Sequence, residues 1–125
     1  MGANVLRVAL VIGALIDFFV AIVVMVFPQS SAALFDIPVH DPTAALLGGG
    51  ELLVAGFIYV LILRDVERFR PFLWLVALDQ LFAALLPGIE VLRGHLPATL
   101  KILAPMPINL ALVVVYVLAA RKSQS

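Results

Sequence analysis

Three carboxylates occupy positions where hydrocarbon is expected. Asp17, Glu51 and Asp79 each interrupt a long apolar run, and a fourth run carries Asn109. Acidic groups so placed can exchange protons, hold a cation, or link helices by hydrogen bonds. An ionised carboxylate at the centre of a bilayer costs roughly 2.5–3.5 kcal/mol on insertion scales. No Lys, Arg or His lies at comparable depth to offset that cost, and Arg7 is about ten residues from Asp17, too far for a direct pair. The expectation is that a proton or a bound cation neutralises at least one of the three. Gln80, Asn109 and the hydroxyls of Tyr59 and Tyr116 are available as partners. The candidate ligand- or proton-binding set is therefore Asp17, Glu51, Asp79, Gln80, Asn109, Tyr59 and Tyr116. The plainer alternative is interhelical glue, since such bonds average only about 0.6 kcal/mol each. Three acids at one depth are an expensive way to obtain that, which favours a ligand, cation or proton role.

The depth argument rests on the runs that carry these groups. A spanning helix needs about 20 mostly apolar residues. Four runs meet or nearly meet this, at about 5–27, 42–63, 72–91 and 100–120. At about 1.5 Å per residue, Asp17 lies about 18 Å from the inner end of the first run. Glu51 lies about 14 Å from the outer end of the second, and Asp79 about 11 Å from the inner end of the third. In a hydrocarbon layer about 30 Å thick, all three fall in or near the middle third. Asn109 reaches a comparable depth if the fourth helix begins near Leu100. A start at Pro107 would leave about 21 Å of helix, short for a span, so a longer helix kinked near Pro105 and Pro107 is expected.

Helical spacing suggests which faces meet. Ala9, Gly13, Asp17 and Ala21 recur every four residues in the first run. Gly48, Glu51 and Ala55 share a face in the second, with Tyr59 below. Asp79 and Ala83 align in the third, and Asn109 and Tyr116 in the fourth. Small residues let membrane helices approach closely. Gly13, Gly48, Gly49 and Gly56 are the expected packing glycines, and the carboxylates are expected to point into the bundle.

Composition agrees with a membrane class. The 125 residues are 64% hydrophobic and 13% charged, with a mean hydropathy of +1.18. Soluble domains run near 45–50% and about 25% respectively. Net charge is zero and the few cations are scattered, which argues against nucleic acid. With no cysteine, disulfides, thiolate metal sites and covalent haem attachment are excluded.

The connections set the orientation. Arg7, Arg64, Arg68, Arg70, Arg121 and Lys122 fall on one side, and only Arg93 and Lys101 on the other. The positive-inside rule then places both termini and the Arg-rich loop in the cytoplasm. The first run contains Asp17 and lacks a clean cleavage site, so it reads as a retained helix. Ser30 and Ser31 can cap a short interfacial turn at about 30–36, and Asp41-Pro42 is a strong helix start. Pro87-Gly88 is a candidate kink or early stop for the third helix. Trp74 and Tyr59 read as interfacial anchors. Glu90 and Arg93 can pair near the outer surface. His40 and His95 fall in outer connections, away from the midplane, so no metal site is predicted.

The stretch Gly50-Glu51-Leu52-Leu53-Val54-Ala55-Gly56 resembles the second helix of small bacterial four-helix membrane proteins called DoxX-like. The run from Arg64 to Trp74 is similar to the related BphX-like group. This resemblance, over about 28–86, implies a four-helix bundle in the bacterial cytoplasmic membrane. For some relatives it implies association with quinone-linked oxidoreductases. It supplies no catalytic residues. In length, and in Asp17 in its first helix, the chain also resembles the small multidrug transporters, although acids in helices two and three depart from that pattern.

The predicted fold is all-α: a single transmembrane domain, 1–125, forming an antiparallel four-helix bundle. The predicted function is a binding or accessory subunit of a membrane assembly, with an acidic midplane site. The alternatives are a homodimeric proton-coupled exporter of lipophilic cations and a purely structural subunit. Expected partners are membrane lipid and either a second copy or a larger complex. No cofactor is predicted beyond a possible bound cation, and no enzymatic chemistry.

Overall fold

The computed structural model describes residues 2–122, which are mostly helical with no strand among them. The first long helix, α1, spans Ala3–Val26. A 3-10 turn, Pro28–Ser30, leads into the short α2, Ser31–Phe35. The second long helix, α3, spans Pro42–Arg64. The short α4, Val66–Phe69, and the turn Arg70–Phe72 run into α5, Leu73–Leu92. The last span is α6, Leu100–Leu103, followed by α7, Pro105–Lys122. Four stretches, Ala3–Val26, Pro42–Arg64, Val66–Leu92 and Leu100–Lys122, are long and apolar enough to cross a membrane.

Local chemistry explains the boundaries. Asp41 accepts hydrogen bonds from the Thr43 and Ala44 amides at 3.0 and 3.2 Å, and Pro42 opens the helix. Asp65 caps α4 through the Arg68 amide, and Thr99 caps α6 through the Ile102 amide. Pro105 and Pro107 have no N–H for the preceding turn, so the last span breaks at Ala104, close to the expected kink. Pro87 lies inside α5, which continues five residues beyond it to Leu92, so it does not stop the helix. Ser30 stands at the N-cap of α2 without a side-chain cap bond, and Ser31 is buried within the helix. The expected serine cap is therefore not made.

Polarity is arranged opposite to that of a soluble bundle. Outward positions carry Leu15, Leu47, Phe57 and Phe82, each more than 60% exposed. The interior carries Ala9, Ala14, Ala77, Ala84 and Ala119 together with Asp17, Gln80, Asn109 and two tyrosines. Such a surface is an aggregation liability in water and is well matched to lipid. A small-residue interior is what membrane helices use to approach each other.

α1 packs along α3, and α5 along α7. The two pairs join mainly through α1 and α7, while α3 and α5 touch little. Close approach of α1 and α3 depends on glycines. At Gly56 an added Cβ would stand 2.8 Å from Phe18 Cε1, and at Gly49 it would run into Met25. At Gly13 it would lie 2.5 Å from Tyr59 Cε1 and 2.6 Å from the Tyr116 hydroxyl. Gly48 differs from this expected packing set, because a Cβ there meets nothing within 4 Å. The reason is rotational: Gly49 and Gly56, seven residues apart, face α1, and Gly48 is turned about 100° away.

Both described termini lie at one end with the Arg-rich connection. Gly2, Arg7, Arg64, Arg70 and Lys122 all border one cleft of about 460 Å³. There Arg70 pairs with Glu67 and donates to the Ala119 carbonyl at 3.4 Å. At the opposite end, Thr99 donates to Asp36 at 2.7 Å and Lys101 to the Ala33 carbonyl at 2.6 Å. These two bonds strap α2 to the start of the last span. Asp36 adopts a left-handed backbone, φ 57°, which lets the chain leave α2 and turn back toward α3.

Candidate acidic centre

The centre is built from four helices. α1 supplies Asp17 from the same face as Ala9, Gly13 and Ala21, and all four are buried. α3 supplies Tyr59, α5 supplies Asp79 and Gln80, and α7 supplies Asn109 and Tyr116. Asp17 is 2% exposed, and Asp79 is the carboxylate that neighbours it. Asp79 is half-buried.

A polar chain crosses the bundle at this level. The Tyr59 hydroxyl lies 2.7 Å from Gln80 Oε1, 3.0 Å from Asp79 Oδ2 and 3.4 Å from the Val76 carbonyl. Gln80 Nε2 donates to Asn109 Oδ1 at 2.6 Å. Tyr116 donates to the Ala9 carbonyl at 2.6 Å, tying α7 to α1. The two phenol rings are 5.8 Å apart and pack over Gly13, whose missing side chain makes room for both.

Acceptors outnumber donors here. Tyr59 has one hydroxyl proton and three acceptor oxygens around it. Asp17 Oδ2 and Ser31 Oγ are the two buried side-chain polar atoms without a hydrogen-bond partner among the described residues. Orphaned buried acceptors are costly and uncommon in folded proteins. A proton or a donor-bearing guest at Asp17 and Asp79 would complete the set.

Of the sequence candidates, Asp17, Asp79, Gln80, Asn109 and Tyr59 are brought together, with Tyr116 beside them. Glu51 is not. Although expected on the inward face with Gly48 and Ala55, it is exposed. With Gly49, Gly56, Tyr59 and Ile62 buried, Glu51 is turned some 200° from Gly49 around the helix. Tyr59, also considered as an interfacial anchor, is fully buried, whereas Trp74 is 41% exposed.

Ser31 is the polar residue that spacing did not mark. Its burial follows from the fold-back of α2, which no local pattern encodes. Among the described residues, no three His, Asp or Glu side chains are grouped to hold a metal ion. His95 instead bonds to Glu90 at 2.8 Å, and Arg93 reaches the same carboxylate at 3.4 Å.

No protein-family model, curated protein or solved structure matches this chain.

Proposed function

We propose that the chain is a multi-pass membrane protein whose Asp17–Asp79 centre binds a polar or cationic group, and that it serves as a binding or accessory subunit of a membrane assembly. Under this reading both termini and the Arg-rich connection face the cytoplasm. The observation that carries it is the Asp17 carboxyl, buried against a second carboxyl with one oxygen unpartnered and no cation at its depth. A purely structural link would pair its acceptors, as Gln80 and Asn109 do with each other. The resemblance to DoxX-like and BphX-like proteins supports placing the subunit in a bacterial cytoplasmic membrane, beside quinone-linked oxidoreductases.

Infrared difference spectra of the purified chain in lipid test the reading, with methylammonium as the added cation. The expected result is a carboxyl band that moves on addition and is lost in Asp17→Asn and in Asp79→Asn. Carboxyl bands blind to methylammonium would return the acids to a structural role.

A further inference from the structure

Between α3 and α5 lies a groove of about 900 Å³. Small-molecule sites commonly measure about 300–1,000 Å³. Leu75, Leu78, Phe82 and Leu86 of α5 form one apolar wall, and Leu52 and Ile58 belong to the α3 side. Its ionisable lining groups are His40, Asp41, Glu51 and Asp79, with no Lys or Arg among them. The groove therefore combines hydrocarbon walls with carboxylates from both helices.

Three further observations point to a guest with hydrogen-bonding groups, the last two to donors. Ser31, buried and with its hydroxyl unpartnered, belongs to the groove wall. Behind Asp79 stands Asp17, with an unpartnered oxygen of its own. Pro87 has no N–H to give the Ala83 carbonyl, so this residue of the groove wall lacks its ordinary helical donor. Gly48 adds a steric argument. It lines the groove, yet a Cβ there would touch nothing, so close helix packing does not account for the glycine. Its effect is to leave the groove wide.

We propose that this groove binds a protonated lipophilic amine, with the ammonium held by Asp79 and the hydrocarbon lying along the α5 wall. The assignment rests on the acidic-centre reading above and names its ligand class. An alkylammonium offers three N–H donors and no acceptor, the complement of an acceptor-rich centre. The exposed side chains of Leu78, Phe82 and Leu86 give it a path from the surrounding lipid. A phospholipid fits less well, because its phosphate would sit beside carboxylates with no cation on the wall.

The test uses the full chain in lipid nanodiscs and tritiated dodecylamine, with protein-free discs subtracted. Saturable binding is expected, weakened at least about tenfold in Gly48→Leu, which fills the groove without changing its charge. Asp79→Asn should weaken it to a similar extent. Dodecanol should compete at least about tenfold more weakly than unlabelled dodecylamine, and discs rich in phosphatidylethanolamine should leave binding unchanged. Circular dichroism and thermal melting confirm that each variant is folded. The assignment is overturned by non-saturable binding, by binding indifferent to Gly48→Leu, by equal competition from dodecanol, or by loss of binding in phosphatidylethanolamine. If one of these occurs while methylammonium still moves the Asp17–Asp79 band, the groove assignment falls and the acidic centre stands. If methylammonium is also without effect, both fall.

Discussion

Single residues carry much of this bundle, and the glycines show it best. Gly13→Ala would push a methyl against both buried tyrosines, 2.5 Å from one ring and 2.6 Å from the other hydroxyl. We expect a loss of about 1–3 kcal/mol in reversible unfolding in lipid. Gly48→Ala meets no neighbour and should gain about 0.5–1 kcal/mol from reduced backbone freedom. Equal effects at the two sites would contradict the packing described. The sequence alone treats Gly13, Gly48, Gly49 and Gly56 alike, because each is a small residue in an apolar run. What separates them is the rotation of α3 about its axis. That same rotation decides that Glu51 is exposed and Tyr59 buried. The four-residue rhythm of Ala9, Gly13, Asp17 and Ala21 is unbroken, so the inward face of α1 is legible without coordinates.

At the scale of elements, the chain's punctuation was largely readable. Asp41-Pro42 starts α3, and the prolines at 105 and 107 break the last span. These are local effects of capping oxygens and missing amides, so a short window contains the cause. The fold-back of α2 was not readable, because its ties come from residues more than sixty positions away. Asp36 is held by Thr99, and the Ala33 carbonyl by Lys101. This strap should control the mobility of the segment 37–41, which borders the groove. We expect Thr99→Val to speed thiol labelling of a cysteine placed at His40 several-fold, with labelling at Arg68→Cys unchanged. The absence of native cysteine makes each single-cysteine protein unambiguous. An unaltered rate at position 40 would show that the strap does not restrain the segment.

Over the whole molecule, the inverted polarity and the distribution of Arg and Lys make one further prediction. A membrane-impermeant thiol reagent should reach cysteines at Arg68 and Lys122 from one side of the membrane and a cysteine at His95 from the other. Labelling of Arg68→Cys and His95→Cys from the same side would refute four crossings. Four helices of suitable length follow from composition and run length, while the order in which they surround the centre does not. That order depends on which pairs pack, α1 with α3 and α5 with α7. Of the ties around the centre, Gln80 to Asn109 and Ala9 to Tyr116 both wait for α7, the last of the four spans to be synthesised. If the helices assemble in chain order, Tyr59 meets Asp79 and Gln80 as soon as α5 joins α3, while the Gln80 amide waits for Asn109. On that order the polar chain across the bundle is completed only when α7 joins. A chain stopped before residue 105 would keep the Tyr59–Asp79 bond and lose the partner of the Gln80 amide, so the acids would be in place before the amide that closes the row beside them.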